Sequence, residues 1–307
     1  MKYRDLHLHL DGSVSLNSLR ELARIGTGEL KESDEVLLER IQVSKDCRNL
    51  NEYLSKFAFP LSFLQTEEQI TFLVKNFLKE LSALNFEYAE IRFAPQLHLT
   101  KGLTQERVVK AAAEGLKDGP IDAKLILCAM RGDKNEKENF ETAEVAKEFL
   151  GKGVCALDLA GAEALFPTEN FKELFKRARD LEVPFTIHAG EADGPKSIYT
   201  ALEFGARRIG HGVRAFEDKE LVKEIARLKI PLEMCPTSNM QTCVFSDIKD
   251  YPIMQYLDAG IIATVNSDNM AVSHTTVPDE LELLKKTFSL SDSDIELIQK
   301  NSVIASF

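Results

Sequence analysis

The chain contains no apolar run approaching the roughly 18 residues that a membrane-spanning helix requires. Its first residues, MKYRDLHLHLDG, alternate like a strand and lack the apolar stretch of a secretory leader. Paired cysteine is also missing. Cys47, Cys128, Cys155, Cys235 and Cys243 are odd in number, widely spaced and form no C-x-x-C, which argues against a disulfide framework. With no N-x-S/T sequon either, the expected location is cytoplasmic. Basic charge is scarce, 38 Lys+Arg against 49 Asp+Glu, leaving a net charge of −11. That balance excludes broad binding to nucleic acid or to an anionic membrane, both of which need a basic field to offset phosphate. No G-x-S-x-G, P-loop or G-x-G-x-x-G occurs, so a serine hydrolase, a P-loop NTPase and a dinucleotide enzyme are unsupported.

What is present is the composition of a globular protein, 44% hydrophobic and 28% charged over 307 residues. Short apolar and β-branched runs at 5–10, 88–94, 124–130, 154–160, 185–189, 208–211, 231–235 and 261–266 read as strands. Amphipathic stretches at 67–84, 104–117, 136–150, 168–181, 218–228 and 248–258 read as helices between them. Alternation of this kind implies parallel βαβ units, and eight of them suit a single (β/α)₈ barrel domain over residues 1–307. The long first crossover, from Ser13 to Glu87, is expected to hold a helical insertion over the catalytic face. Within it FAFPLSFLQ is read either as hydrophobic lining beneath the insert or as an apolar gate over a planar ligand.

Chemistry-bearing residues gather at the C-terminal ends of four candidate strands, where a barrel builds its active site. In LHLHLDG, His7 and His9 are two apart and share one face of a strand, which suits a borderline cation such as Zn²⁺. FTIHAGE ends a buried strand on His188 with Glu191 just beyond, RIGHG places His211 between glycines, and ATVNSD ends on Asp268. Each piece alone has a bland reading: an H-x-H can be chance, and a strand-end histidine is commonly structural. Together they supply three imidazoles and a carboxylate able to hold one Zn²⁺ and still admit a water, with Glu191 and His211 left for proton transfer.

LHLHLDGS, YAEIRFAPQLH, LDLAGAE, TIHAGEA, RIGHGVR, EMCPTSNMQT and TVNSDN occur in order from residue 6 to residue 269, and the chain resembles the adenosine deaminase family of the amidohydrolase superfamily. The resemblance implies a (β/α)₈ barrel, one Zn²⁺ on His7, His9, His188 and Asp268, and a small purine nucleoside as partner, with no nucleic acid or membrane. It implies that Glu191 protonates purine N1, that His211 orients or deprotonates the attacking water and stabilises the oxygen of the tetrahedral intermediate, that Gly161 donates its N–H to purine N3, and that Asp11 contacts ribose. Arg92 and Pro95 are expected to support the barrel end. The implied reaction converts adenosine to inosine, and 2′-deoxyadenosine to deoxyinosine, with release of ammonia. Co²⁺ or Mn²⁺ could fill the same donor set.

Where many family members have two consecutive aspartates, this chain has Asp268-Asn269. Purine N7 is an acceptor, and an Asn amide always carries donors, so the contact of Asn269 with N7 is expected to survive. Adenine deaminases resemble the same metal site but commonly carry Glu at the position of Asp11, which favours a nucleoside over the free base. The alternatives are an adenine deaminase, a deaminase of another 6-aminopurine, and, more remotely, a non-catalytic purine nucleoside-binding protein, which would require a broken acid/base set.

Overall fold

The alternation of strands and helices folds into a closed barrel, described over residues 2–26 and 28–307 in a computed structural model. The strands are β1 (Tyr3–His9), β2 (Phe86–Phe93), β3 (Asp122–Met130), β4 (Val154–Ala160), β5 (Thr186–Ala189), β6 (Arg208–His211), β7 (Leu232–Met234) and β8 (Ala263–Val265). They pair in parallel in the order β1-β2-β3-β4 and β5-β6-β7-β8. Bridges between Leu157 and Phe185 and between Leu8 and Asp268 join the two halves into one ring. Prolines set two of the strand starts: Pro184 and Pro231 have no N–H to give the ladder, and pairing begins just after them.

Side-chain alternation sorts the strands into an apolar outside and an ionic inside. Leu8, Ala89, Ile91, Leu157 and Leu159 join the large hydrophobic cluster with the surrounding helices. The intervening residues meet across the barrel axis: Arg92 pairs with Asp158 at 3.0 Å and Glu233 at 2.8 Å, and Arg208 pairs with Glu233 and Glu90 at 2.6 Å each. Most barrels of this class fill that space with branched aliphatic residues. Here the floor is completed by Phe307, whose N–H donates to Glu90 and whose ring lies 4.0 Å from the Arg208 guanidinium carbon.

Among the described residues five α-helices run between β1 and β2, α1 (Leu16–Gly26), α2 (Asp34–Ile41), α3 (Leu50–Leu54), α4 (Ala58–Leu61) and α5 (Glu67–Ala83). The segment FAFPLSFLQ splits in role: Phe63 and Leu64 are buried in the core, whereas Phe57, Ala58 and Leu61 line a cavity shared with His9, His188 and His211. Phe63 and Leu64 thus fit the reading as hydrophobic lining beneath the insert. The outer layer continues with α6 (Gln105–Leu116), α7 (Glu136–Phe149), α8 (Lys172–Asp180), α9 (Pro195–Phe204), α10 (Lys219–Leu228), α11 (Pro236–Gln241), α12 (Ile253–Asp258), α13 (Val277–Phe288) and α14 (Asp292–Ala305). Caps set these limits: Thr66 and Thr104 each accept an N–H of their helix's first turn, and Asp218 accepts two. The helix expected over 168–181 opens as a 3₁₀ turn (Thr168–Phe171), and that expected over 248–258 is interrupted at Tyr251-Pro252, leaving a 3₁₀ turn and α12.

Candidate functional site

A cavity of about 300 Å³ opens at the C-terminal ends of the strands, bounded by His9, Met130, Gly161, His188, His211 and Asp268 and covered by Tyr53, Phe57 and Leu61 of the insertion. Its floor carries the histidine cluster. His7 and His9 project from β1, His188 from β5, and Asp268 lies just past β8, where the bridge to Leu8 brings it beside them. His9 Nε2 and His188 Nε2 are 3.2 Å apart, and Asp268 Oδ1 is 3.5 Å from both His7 Nε2 and His9 Nε2.

The donor set has the character of a cation site. Four donors around a tetrahedral ion with bonds of about 2.0–2.1 Å stand about 3.3–3.4 Å from one another, close to the separations of His9 from His188 and of Asp268 from His7 and His9. His7 Nε2 is buried without a hydrogen-bond partner. The opposite ring nitrogens are held by carboxylates: His7 Nδ1 by Glu233 at 2.8 Å and His188 Nδ1 by Asp158 at 3.0 Å. Each carboxylate fixes the tautomer that turns a bare Nε2 toward the centre. Cys235, with His7 and Asp268, forms a second group close enough to share an ion, although burial pushes its thiol well up and away from the thiolate a metal needs.

His211 and Glu191 stand beside this cluster with Nε2 and Oε2 3.6 Å apart. Burial, reinforced by Asp268 and then Glu163, pushes the Glu191 carboxyl well above the usual range. Thr242 Oγ1 lies 3.3 Å from Glu191 Oε1. Burial lowers His211 well below an ordinary imidazole, with the nearby His7 adding to the effect. Tyr251 O–H donates to Asn239 Oδ1 at 3.1 Å, which turns the Asn239 amide toward His211 Nδ1, also at 3.1 Å. The ring therefore carries its proton on Nε2. His211 (φ +59°) and Asp268 (φ +58°) both adopt left-handed backbone, a cost of roughly 1–2 kcal/mol each that the surrounding ladder sustains to turn these side chains into the cavity.

All of the sequence-derived site residues converge. Asp11, in a buried turn after β1, lines the cavity with Gly161 and Asn269. Gly161 has φ +108°, a conformation that excludes a side chain and leaves main chain as the cavity wall. Arg92 proves to be a fully buried cross-barrel cation. Sequence reasoning assigned no role to Asp158, Glu163, Glu233, Asn239 or Thr242. The available signal was a carboxylate inside an apolar run, as in CALDLAG and PLEMC, since a buried acid needs a partner.

A family profile described as adenosine deaminase matches residues 3–307. An adenosine deaminase of Haemophilus ducreyi is 46% identical over 312 aligned residues, covering 99% of this chain and 91% of the relative. Among solved structures, an adenine deaminase from Arthrobacter aurescens superposes with a TM-score of 0.89 at 28% identity, covering 99% of this chain and 93% of the other. A Burkholderia ambifaria amidohydrolase solved with bound zinc shares the fold, with a TM-score of 0.87 at 18% identity, covering 100% of this chain and 85% of that one.

Proposed function

The chain belongs to the adenosine deaminase family, hydrolases of a C–N bond in a cyclic amidine, and from that premise we propose that its barrel mouth converts adenosine and 2′-deoxyadenosine to inosine and deoxyinosine with release of ammonia. The single observation that carries the reading is the placing of Glu191 and His211, 3.6 Å apart, beside His7, His9, His188 and Asp268. The 46% identity to an adenosine deaminase, against 28% to an adenine deaminase structure, favours the nucleoside over the free base.

His7, His9, His188 and Asp268 would hold one divalent cation, zinc by their donor types. When bound, such an ion supplies Lewis acidity that makes a water a competent nucleophile near neutral pH. The rest falls to side chains and main chain. Glu191 would deliver its proton to purine N1, drawing charge from C6 and opening that carbon to attack. His211, held by Asn239 with its proton on Nε2, would donate to the oxygen growing at C6, an aligned dipole in a water-poor pocket. Gly161 N–H would meet N3, the Asn269 amide would donate to N7, and Asp11 would take a ribose hydroxyl. Tyr53, Phe57 and Leu61 would cover the ring and exclude bulk water. We further read barrel and insertion as one catalytic unit acting in the cytoplasm. Among the described residues no helix is long and apolar enough to cross a membrane.

The test is ammonia release, followed with the purine absorbance change, on adenosine, 2′-deoxyadenosine and adenine before and after chelation. Turnover of both nucleosides that chelation abolishes and added zinc restores is expected. Turnover of adenine alone would move the protein to the base-deaminase reading, and no turnover by zinc-loaded protein would leave a binding protein.

A further inference from the structure

Glu163 lies in the loop after β4, two residues beyond the cavity-lining Gly161, and is 1% exposed. Its carboxylate accepts five hydrogen bonds. Oε1 receives Gly190 N–H at 2.7 Å and Ser197 O–H at 2.6 Å, and Oε2 receives the N–H groups of Glu191 at 3.0 Å, Ala192 at 2.7 Å and Asp193 at 3.0 Å. Four consecutive amides thus converge on one side chain. They belong to the loop between β5 and α9, not to the helix, so this is no helix cap. Ser197 also pairs with Thr168 Oγ1 at 2.7 Å, Thr168 accepts from Arg131, and Arg131 donates to the His188 carbonyl at 2.6 Å. The backbone on either side of Glu191 is clamped from the loop after β4.

We propose that Glu163 is a positioning residue for the deamination, acting through Glu191: its carboxylate sets where the Glu191 carboxyl stands against the N1 edge of the purine. The assignment rests on the reading of Glu191 as the N1 acid. An ionised carboxylate offers acceptor sites on both oxygens, enough for every one of these donors. A glutamine offers one oxygen, and its amide would point N–H groups at N–H groups. Displacing a catalytic group by about 1 Å costs about 100-fold in rate.

The experiment is a double-mutant cycle on the metal-loaded enzyme with adenosine, using Glu163→Gln, Glu191→Gln and the pair, with metal content and thermal midpoint recorded for each. Glu191→Gln alone should lower kcat by about 10²–10⁴. Glu163→Gln should lower kcat by about 100-fold with KM within about threefold. In the Glu191→Gln background the same change should cost no more than about threefold, because a residue that acts through Glu191 has nothing left to position. Additive losses, or a Glu163→Gln enzyme within about threefold of the parent kcat, would overturn the role of Glu163 while leaving the acid in place. A Glu191→Gln enzyme that keeps the parent kcat would overturn the acid itself, and the proposal with it. Should Glu163→Gln not fold, Ser197→Ala removes a single donor and carries the same cycle, with a kcat loss of about fivefold expected only where Glu191 is present.

Discussion

Single buried groups set much of this protein's chemistry, and His98 isolates the effect away from the active site. Its Nδ1 lies 2.7 Å from the Leu64 carbonyl, which fixes the proton there and leaves Nε2 sealed without a partner. Burial, opposed only by that hydrogen bond, pushes its pKa down from 6.5 to about 4. The folded pKa lies below the unfolded one, so the stability is fully present above pH 6.5 and drains as pH falls toward 4. Between pH 7 and 4.5 the loss is on the order of 2–3 kcal/mol. Urea unfolding at both pH values should show the parent losing that much more than His98→Asn, and equal pH dependence would refute the account. At this scale the sequence was legible wherever a reactive side chain ended an apolar strand, as with His188, His211 and Asp268. It was silent on Asp158, Glu163 and Glu233, because a buried acid is explained by partners such as His188, Gly190 and Arg92 that lie far off in the chain.

Pairs of elements impose a stricter geometry than any residue alone. β6 runs beside β5 with Gly210 opposite His188, and a Cβ at Gly210 would stand 3.1 Å from the His188 Cα and 3.2 Å from the His7 Cε1. The glycine leaves room for the backbone of His188 and the ring of His7. Gly210→Ala should keep the barrel, read by circular dichroism, while weakening metal binding by about 10–100-fold, read by competition with a chelator, as displaced supports of ligands commonly do. Unchanged affinity would mean that the strand pair has slack to absorb a methyl group. The element boundaries themselves were largely readable from apolar runs and caps: β4 and β6 fall where expected, and Thr66, Thr104 and Asp218 mark their helices. Less readable was the stretch around Tyr251-Pro252, where helical periodicity continued across a residue that cannot continue a helix. The bridges closing the ring at Leu8 and Leu157 depend on contacts that no local pattern encodes.

Over the whole molecule, the donor cluster at one end of the barrel would couple folding to metal. An ion bound only by the folded state adds about 4 kcal/mol when present at 1,000 times its dissociation constant. Stripping the metal should lower the thermal midpoint by several °C and zinc should restore it, whereas identical scans would show that the ion contributes nothing to stability. The ionic interior below the cluster has a cost of another kind: removing Glu233 would leave Arg92 to Asp158 alone, Arg208 to Glu90 alone and His7 Nδ1 without its acceptor, a loss of about 3–5 kcal/mol. That same interior also governs traffic. Among the described residues, Arg208, Glu90 and Phe307 fill the end opposite the cavity, so that end offers no route to the site. Entry of nucleoside and departure of ammonia and purine then fall to the cavity face, where Tyr53 and Phe57 stand, and each turnover is a queue at that threshold.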